Sequence, residues 1–347
     1  MDKYDNPCHL NGFAFLEFSA PHPEVLHQQF KTMGFVHRAT HQNAPIDLYQ
    51  QGSIQFIVNA TPDSQAAQHA KIHGAGACAM GFRVKNAKAA HQYAIEHGGK
   101  SFTDPDHHLL AIEGIGQSVI YFVEEDCLPF EGQWMEQVQE HTPDIQLQTI
   151  DHLTHNVHRG KMDEWAAFYQ TIFNFREIRY FDIKGQLTGL KSRALCSPCD
   201  LIKIPLNESK DDHSQIEEFL HDYKGEGIQH IALSTRNIYH SVHELRQQGV
   251  KFLTVPDTYY DMIDQRIPWH QESLPNLQKE RILIDGEQDP EHGLLLQIFT
   301  ENVFGPVFFE IIQRQGNQGF GEGNFQALFE AIERDQIKRG TLSEKPS

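Results

Sequence analysis

The sequence predicts an α+β protein of tandem βαβββ modules, arranged as two barrel-like halves and followed by a C-terminal helix. Three observations predict it: an internal repeat, matching first and last strands in the repeated units, and a polar connector between them. Residues 73–100 and 224–251 share one pattern. Each opens on a Gly-x-Gly turn, Gly74 to Gly76 and Gly225 to Gly227. Each continues as an alternating strand, Cys78–Val84 or Ile228–Ser234, and reaches an asparagine, Asn86 or Asn237, suited to cap a helix. Each helix has apolar residues at helical spacing and stops at glycine, Gly98-Gly99 or Gly249.

The remaining elements follow in order. Leu10-Asn-Gly-Phe-Ala-Phe and Ile150-Asp-His-Leu-Thr-His open the two halves. Helices of roughly 23–33 and 162–173 come next, each leading into an aromatic strand. Ser118–Val123 and Val307–Ile312 close the halves, so that each half holds two βαβββ-like units. The first domain is expected over 8–127 and the second over 149–338, with Leu128–Gln148, rich in Glu, Gln and Pro, between them. A last helix is expected from about Asn324 to Lys338, where Phe325, Leu328, Phe329 and Ile332 make one apolar stripe after the Gly319–Gly323 turn.

Composition bounds the function. A chain of 347 residues with 39% hydrophobic content can bury a sizeable core. The formal charge of −18 argues against a nucleic-acid partner, because a phosphate-binding face needs clustered Lys and Arg. The N-terminal stretch is polar and no segment reaches the ~18 apolar residues of a membrane helix, so a cytoplasmic protein without a membrane partner is expected. The five cysteines are scattered, and Cys196-Ser-Pro-Cys199 lacks a second pair, so it reads as two reduced thiols.

Three residues of the second half are out of place on a core strand. His152, His230 and Glu310 lie in apolar strands, and Glu310 alternates with Phe308 and Ile312. A carboxylate buried there is costly unless it is paired or binds a metal. The first half is an internal control: laid over the second, it puts Gly12 at His152, Ala79 at His230 and Tyr121 at Glu310. The scaffold therefore does not demand these groups. Two His and one carboxylate make the facial triad of iron(II) oxygenases, which leaves positions open for substrate and O₂. Zinc accepts the same donors. Asp151, next to His152, should point to the opposite face and serve structure.

The second half resembles the 4-hydroxyphenylpyruvate dioxygenase family over nearly its whole length. The motifs that carry this are Asp151-His-Leu-Thr-His-Asn-Val, Gly189-Leu-Lys-Ser-Arg, Ile204-Pro-Leu-Asn-Glu, Ser214-Gln-Ile and Gly227-Ile-Gln-His-Ile-Ala. They continue with Leu295-Leu-Gln-Ile-Phe-Thr, Phe309-Glu-Ile-Ile-Gln-Arg and Gly319-Phe-Gly-Glu-Gly-Asn-Phe. The first half resembles the family in layout only. The resemblance implies a vicinal-oxygen-chelate fold and Fe(II) held by His152, His230 and Glu310. It implies that Ser192, Asn207 and Gln215 handle the substrate's phenol end, and that Gln229 and Gln297 lie near the iron and the keto acid. Phe299 and Phe325 would flank the ring, Phe308 and Phe320 would extend the wall, and Asn324 would start a gating helix. Without the motif context, Gln215 would be solvent-facing, Ser192 and Asn207 turn residues, and the phenylalanines core.

The implied reaction takes an aromatic keto acid and O₂. The acid chelates the metal, CO₂ leaves, and ring hydroxylation with side-chain migration gives homogentisate. A homodimer or homotetramer is implied as well. 4-Hydroxymandelate synthase, an extradiol dioxygenase and a non-catalytic binding protein of the same fold are the alternatives, and product analysis and O₂ uptake separate them.

Overall fold

The structure is a computed structural model; it describes residues 5–103, 109–124, 134–137, 142–184, 189–212, 214–324 and 327. The first module runs β1 (Leu10–Ser19), α1 (Glu24–Thr32), β2 (Val36–His41), β3 (Ile46–Gln51) and β4 (Ile54–Asn59). After α2 (Gln65–His73) the second runs β5 (Gly76–Val84), α3 (Ala87–Glu96), β6 (Ser101–Thr103), β7 (Leu110–Glu113) and β8 (Val119–Glu124). Strand β9 (Trp134–Glu136) follows. The second half repeats the order with β10 (Leu147–Val157), α4 (Met162–Phe173), β11 (Arg176–Lys184), β12 (Gly189–Cys196) and β13 (Lys203–Ser209). Helix α5 (Gln215–Asp222) leads to β14 (Gly227–Thr235) and α6 (Ile238–Gln247). Three short helices, α7 (Asp257–Tyr260), α8 (Ile263–Arg266) and α9 (Leu274–Glu280), precede β15 (Leu283–Asp285), β16 (Leu294–Phe299) and β17 (Phe308–Gln315).

The repeated helices start as their sequence requires. Asn86 and Asn237 accept hydrogen bonds from the backbone N–H of Ala89 and His240. The two sheets have one topology. The first is ordered β6-β7-β8-β5-β1-β4-β3-β2-β9 and the second β11-β12-β13-β10-β14-β17-β16-β15. Read in opposite directions they coincide, apart from β9 on the edge. Within each, the first strand of one module lies beside the first strand of the next, so two βαβββ modules share a sheet.

One face of each sheet joins a common apolar core. Phe18, Phe30 and Phe56 of the first half meet Phe304 and Phe309 of the second, and Phe82 and Phe122 meet Phe173. The other face of each sheet is free to differ, and there the halves diverge. Helices α7 to α9 have no counterpart in the first half, where α3 leads directly to β6. They are too short to show a helical period in sequence. The helix expected over 324–338, with Phe325, falls outside the described residues beyond Asn324, Ala327 excepted. Among the described residues no helix is long and apolar enough to cross a membrane.

Candidate metal centre

Strands β10, β14 and β17 are neighbours, and each contributes one residue to a single point. His152 Nε2 lies 3.2 Å from Glu310 Oε2, and His230 Nε2 lies 3.5 Å from the same oxygen. One ligand atom from each residue falls within 4.8 Å of the others. This is the grouping that the three displaced polar residues predict. His152 and Glu310 are fully buried, and the His230 side chain is 13% exposed.

Irregular pairing aims these side chains. The β10–β14 register slips between Thr154 and His155, whose partners are His230 and Ile228. Gln229 is skipped, so Gln229 and His230 both leave the core face, while Ile228 and Ile231 stay in the core.

The electrostatics are those of a cation site served by protons. Burial pushes the Glu310 carboxyl up, but His152 and His230 reverse this and hold it below the usual carboxylate range. Burial opposes protonation of His152, yet Glu310 and Asp151 raise its pKa above the ordinary imidazole value. For His230 burial prevails and the pKa is lowered. Among the described residues, Glu310 Oε1 and His230 Nδ1 are buried without a hydrogen-bond partner. A divalent cation among the three would take over the balancing charge and displace the proton of His152. Two imidazole nitrogens and a carboxylate fit such an ion.

Asp151 corrects the sequence reading. Alternation sends it away from His152, but the β10 register also slips between Ile150 and His152. Its Oδ1 accepts a hydrogen bond from His152 Nδ1 at 2.8 Å. The Arg314 guanidinium grips the same carboxylate with two bonds, Nε to Oδ2 at 2.7 Å and Nη2 to Oδ1 at 2.8 Å. Despite burial, these partners hold the Asp151 carboxyl well below the usual range. Arg314 Nη1 donates to the carbonyls of Asn317 and Gly319, and its guanidinium lies 5.5 Å from the centre of the Phe320 ring. Phe320 in turn meets His152 edge-to-face at 5.1 Å. One arginine thus ties the orientation of His152 to the segment that carries Phe320.

Of the remaining sequence-predicted residues, Phe308 and Phe299 stand at this centre. The Phe308 ring stacks on His230 at 4.9 Å, and Phe299 stands perpendicular to Phe308 at 6.1 Å. Ser192 and Asn207 are direct register partners on β12 and β13. Gln297 is buried, and its Oε1 accepts from Asn324 Nδ2 at 3.4 Å. Asn324 Oδ1 also meets the Tyr259 hydroxyl at 2.6 Å, and Gly323 N–H donates to Asp285. Helix α7 thereby anchors the 321–324 turn, a role for Tyr259 that no sequence motif announced. Gln215 is exposed at the first position of α5, and the structure does not bring it to the centre. Phe325 lies outside the described residues.

Gly321 is required where it stands. Its φ is +82°, and a Cβ there would come 1.9 Å from Gln297 Oε1. Gly321→Ala is expected to displace Gln297 and to destabilise the turn by about 1–2 kcal/mol. Turnover should fall about tenfold or more while circular dichroism stays unchanged; unchanged kcat would contradict this.

The first half shows the same face with other contents. Phe15 pairs with Gly81, and Gly81 with Tyr121; His152 pairs with Ala232, and Ala232 with Glu310. Register therefore overlays Phe15, not Gly12, on His152. The sequence overlay slipped by three residues: it set Leu10 on Ile150, whereas the register sets Leu10 on Leu147, where the two strands open. Ala79 on His230 and Tyr121 on Glu310 agree with the register. Phe15 and Tyr121 touch at 5.9 Å within an apolar cluster that includes Ile46, Ala79, Ala111 and Val119. Where the second half gathers its polar triad, the first is filled with hydrocarbon.

Comparison with known proteins places this arrangement. The family model described as "Hydroxyphenylpyruvate dioxygenase, HPPD, N-terminal" matches residues 4–127. The model described as "Glyoxalase/Bleomycin resistance protein/Dioxygenase superfamily" matches residues 149–262. A 4-hydroxyphenylpyruvate dioxygenase of Legionella pneumophila (strain Corby) is 67% identical over 343 residues, covering 98% of this chain and 99% of the relative. One from Pseudomonas aeruginosa is 50% identical, covering 97% of each chain. A solved mutant of 4-hydroxymandelate synthase from Streptomyces coelicolor shares the fold, with a TM-score of 0.81, 24% identity, and coverage of 96% of this chain and all (100%) of its own. With full-length relatives this similar, and His152, His230 and Glu310 converging on one point, the chain belongs to the 4-hydroxyphenylpyruvate dioxygenase family.

Proposed function

We propose that the chain is an Fe(II)-dependent 4-hydroxyphenylpyruvate dioxygenase, converting 4-hydroxyphenylpyruvate and O₂ to homogentisate and CO₂ in tyrosine catabolism. The observation that carries the reading is the convergence of His152, His230 and Glu310 beside the Phe299–Phe308 pair, in a chain 67% identical to a relative of that name. When bound, Fe(II) supplies a Lewis-acidic, redox-active centre with positions for a keto acid and O₂.

The chain's own residues do the rest. Asp151 fixes the His152 ring so that Nε2, not Nδ1, faces Glu310. Phe299 and Phe308 offer ring faces and edges to an aromatic substrate. Gln229 and Gln297 supply amides at the keto-acid end, and the Ser192 hydroxyl and the Asn207 amide serve the phenol end. In the same proposal Phe325 pairs with Phe299 around the ring, Phe320 extends the wall with Phe308, and Asn324 opens the gating helix. Domain limits of 8–127 and 149–338, a cytoplasmic location and a homodimeric or homotetrameric state are part of the same proposal.

The test is product analysis. Iron-loaded protein given 4-hydroxyphenylpyruvate and O₂ should yield homogentisate and CO₂, and a chelator should abolish turnover until iron is restored. Hydroxymandelate as product would mean the synthase reaction, and no O₂ uptake would mean a binding protein.

A further inference from the structure

On the site face of the second sheet, one buried amide has no partner among the described residues. Leu153 and Val157 of β10 lie in the common core, and His155 Nε2 meets the Tyr169 hydroxyl of α4 at 2.9 Å. Alternation then turns His152, Thr154 and Asn156 to the opposite face. Asn156 is the register partner of Asn207, and Asn207 of Ser192, so a hydroxyl and two amides form one row across three strands. Asn156 is 0% exposed. Among the described residues, neither its Nδ2 nor its Oδ1 finds a hydrogen-bond partner.

The first half shows what this row does when it serves only the fold. By the same register, Ser19 stands at Asn156, Asn59 at Asn207 and Ile46 at Ser192. There the polar groups are met inside the chain. Ser19 Oγ lies 3.5 Å from His69 Nδ1, Asn59 Nδ2 donates to Glu17 at 2.7 Å, and Asn59 Oδ1 accepts from the Thr61 N–H at 2.9 Å. The second half leaves its counterpart unmet. Buried amides without partners are rare and mark a ligand or a functional role.

We propose that Asn156 is a further substrate-positioning residue, binding the ring hydroxyl of a para-hydroxylated aromatic keto acid together with Asn207 and Ser192. The inference rests on the proposed function and adds a residue to it. A phenolic hydroxyl donates and accepts, and so matches both halves of an amide. Asn156 lies four residues after His152, about 13 Å along β10. That is the spacing for a ring hydroxyl held at one end while the keto acid occupies the other.

The test uses iron-loaded full-length protein with 4-hydroxyphenylpyruvate and with phenylpyruvate, which lacks only the hydroxyl. In Asn156→Leu and Asn156→Ala the kcat/KM preference for the hydroxylated acid should fall at least about tenfold. Anaerobic binding of each acid gives the same ratio where phenylpyruvate turns over too slowly. Asn156→Leu should also not lower the melting temperature of the substrate-free protein, because it removes unmet polar atoms. An unchanged preference, including an equal loss for both acids, overturns the assignment. A wild-type protein that neither binds nor consumes either acid overturns the functional reading, and this inference with it.

Discussion

Replacing His230 by alanine should abolish iron binding and turnover and leave a folded protein. The imidazole supplies one of three donors that meet within 4.8 Å, and no described neighbour can replace it. Its ring packs on Phe308 and Phe299 at the site, not in the common core, so its loss leaves the Phe18–Phe304 and Phe82–Phe173 contacts intact. Glu310 keeps His152 at 3.2 Å, so the buried carboxylate is not left alone. The stability loss should therefore stay below the about 3–5 kcal/mol of a fully orphaned buried charge. The expected turnover loss is on the order of a thousandfold or more, since a facial triad reduced to two ligands no longer fixes the ion. Elemental analysis of the purified variant, O₂ uptake and circular dichroism check it. Full iron content in a folded variant would remove His230 from the site.

Asp151→Asn should cost less than the loss of a converging donor, yet act while all three donors stay in place. Oδ1 of Asp151 accepts from both His152 Nδ1 and Arg314 Nη2, and Oδ2 accepts from Arg314 Nε. An asparagine must turn its NH₂ toward one of these donors. Facing His152, it would donate to Nδ1 and force the ring proton onto Nε2, the atom that faces Glu310. Facing Arg314, it leaves a buried guanidinium half unpaired. Loss of such an orienting partner lowers metal affinity by roughly 10–100-fold. Iron competition against a chelator measures it, and Arg314→Met should show a smaller effect in the same assay. Affinity within twofold of the wild type would show that Asp151 serves the fold alone.

What the chain's letters disclosed, and what they hid, follows from periodicity. The repeat was legible because glycine turns and asparagine caps recur at fixed offsets, and the structure keeps both. His152, His230 and Glu310 were legible because ionisable groups do not belong among alternating apolar residues. Asp151 was misread because alternation fails at a register slip, and slips leave no mark in sequence. Phe15 was missed as the counterpart of His152 for a related reason: likeness of residue types follows composition, whereas hydrogen-bonded register counts residues. The anchoring of Asn324 by Tyr259 came from α7, a single turn with no period to detect. Gln215 is exposed, as an amphipathic helix start would have it.

The hydrocarbon plug of the first sheet gives equivalent strand positions opposite sensitivities. A polar intrusion at Phe15, Ala79 or Tyr121 strikes folding and leaves chemistry to the sister sheet. An apolar replacement at His152, His230 or Glu310 silences chemistry in a chain that still folds. A duplicated scaffold has in this way divided its labour, one copy acting as ballast for the other.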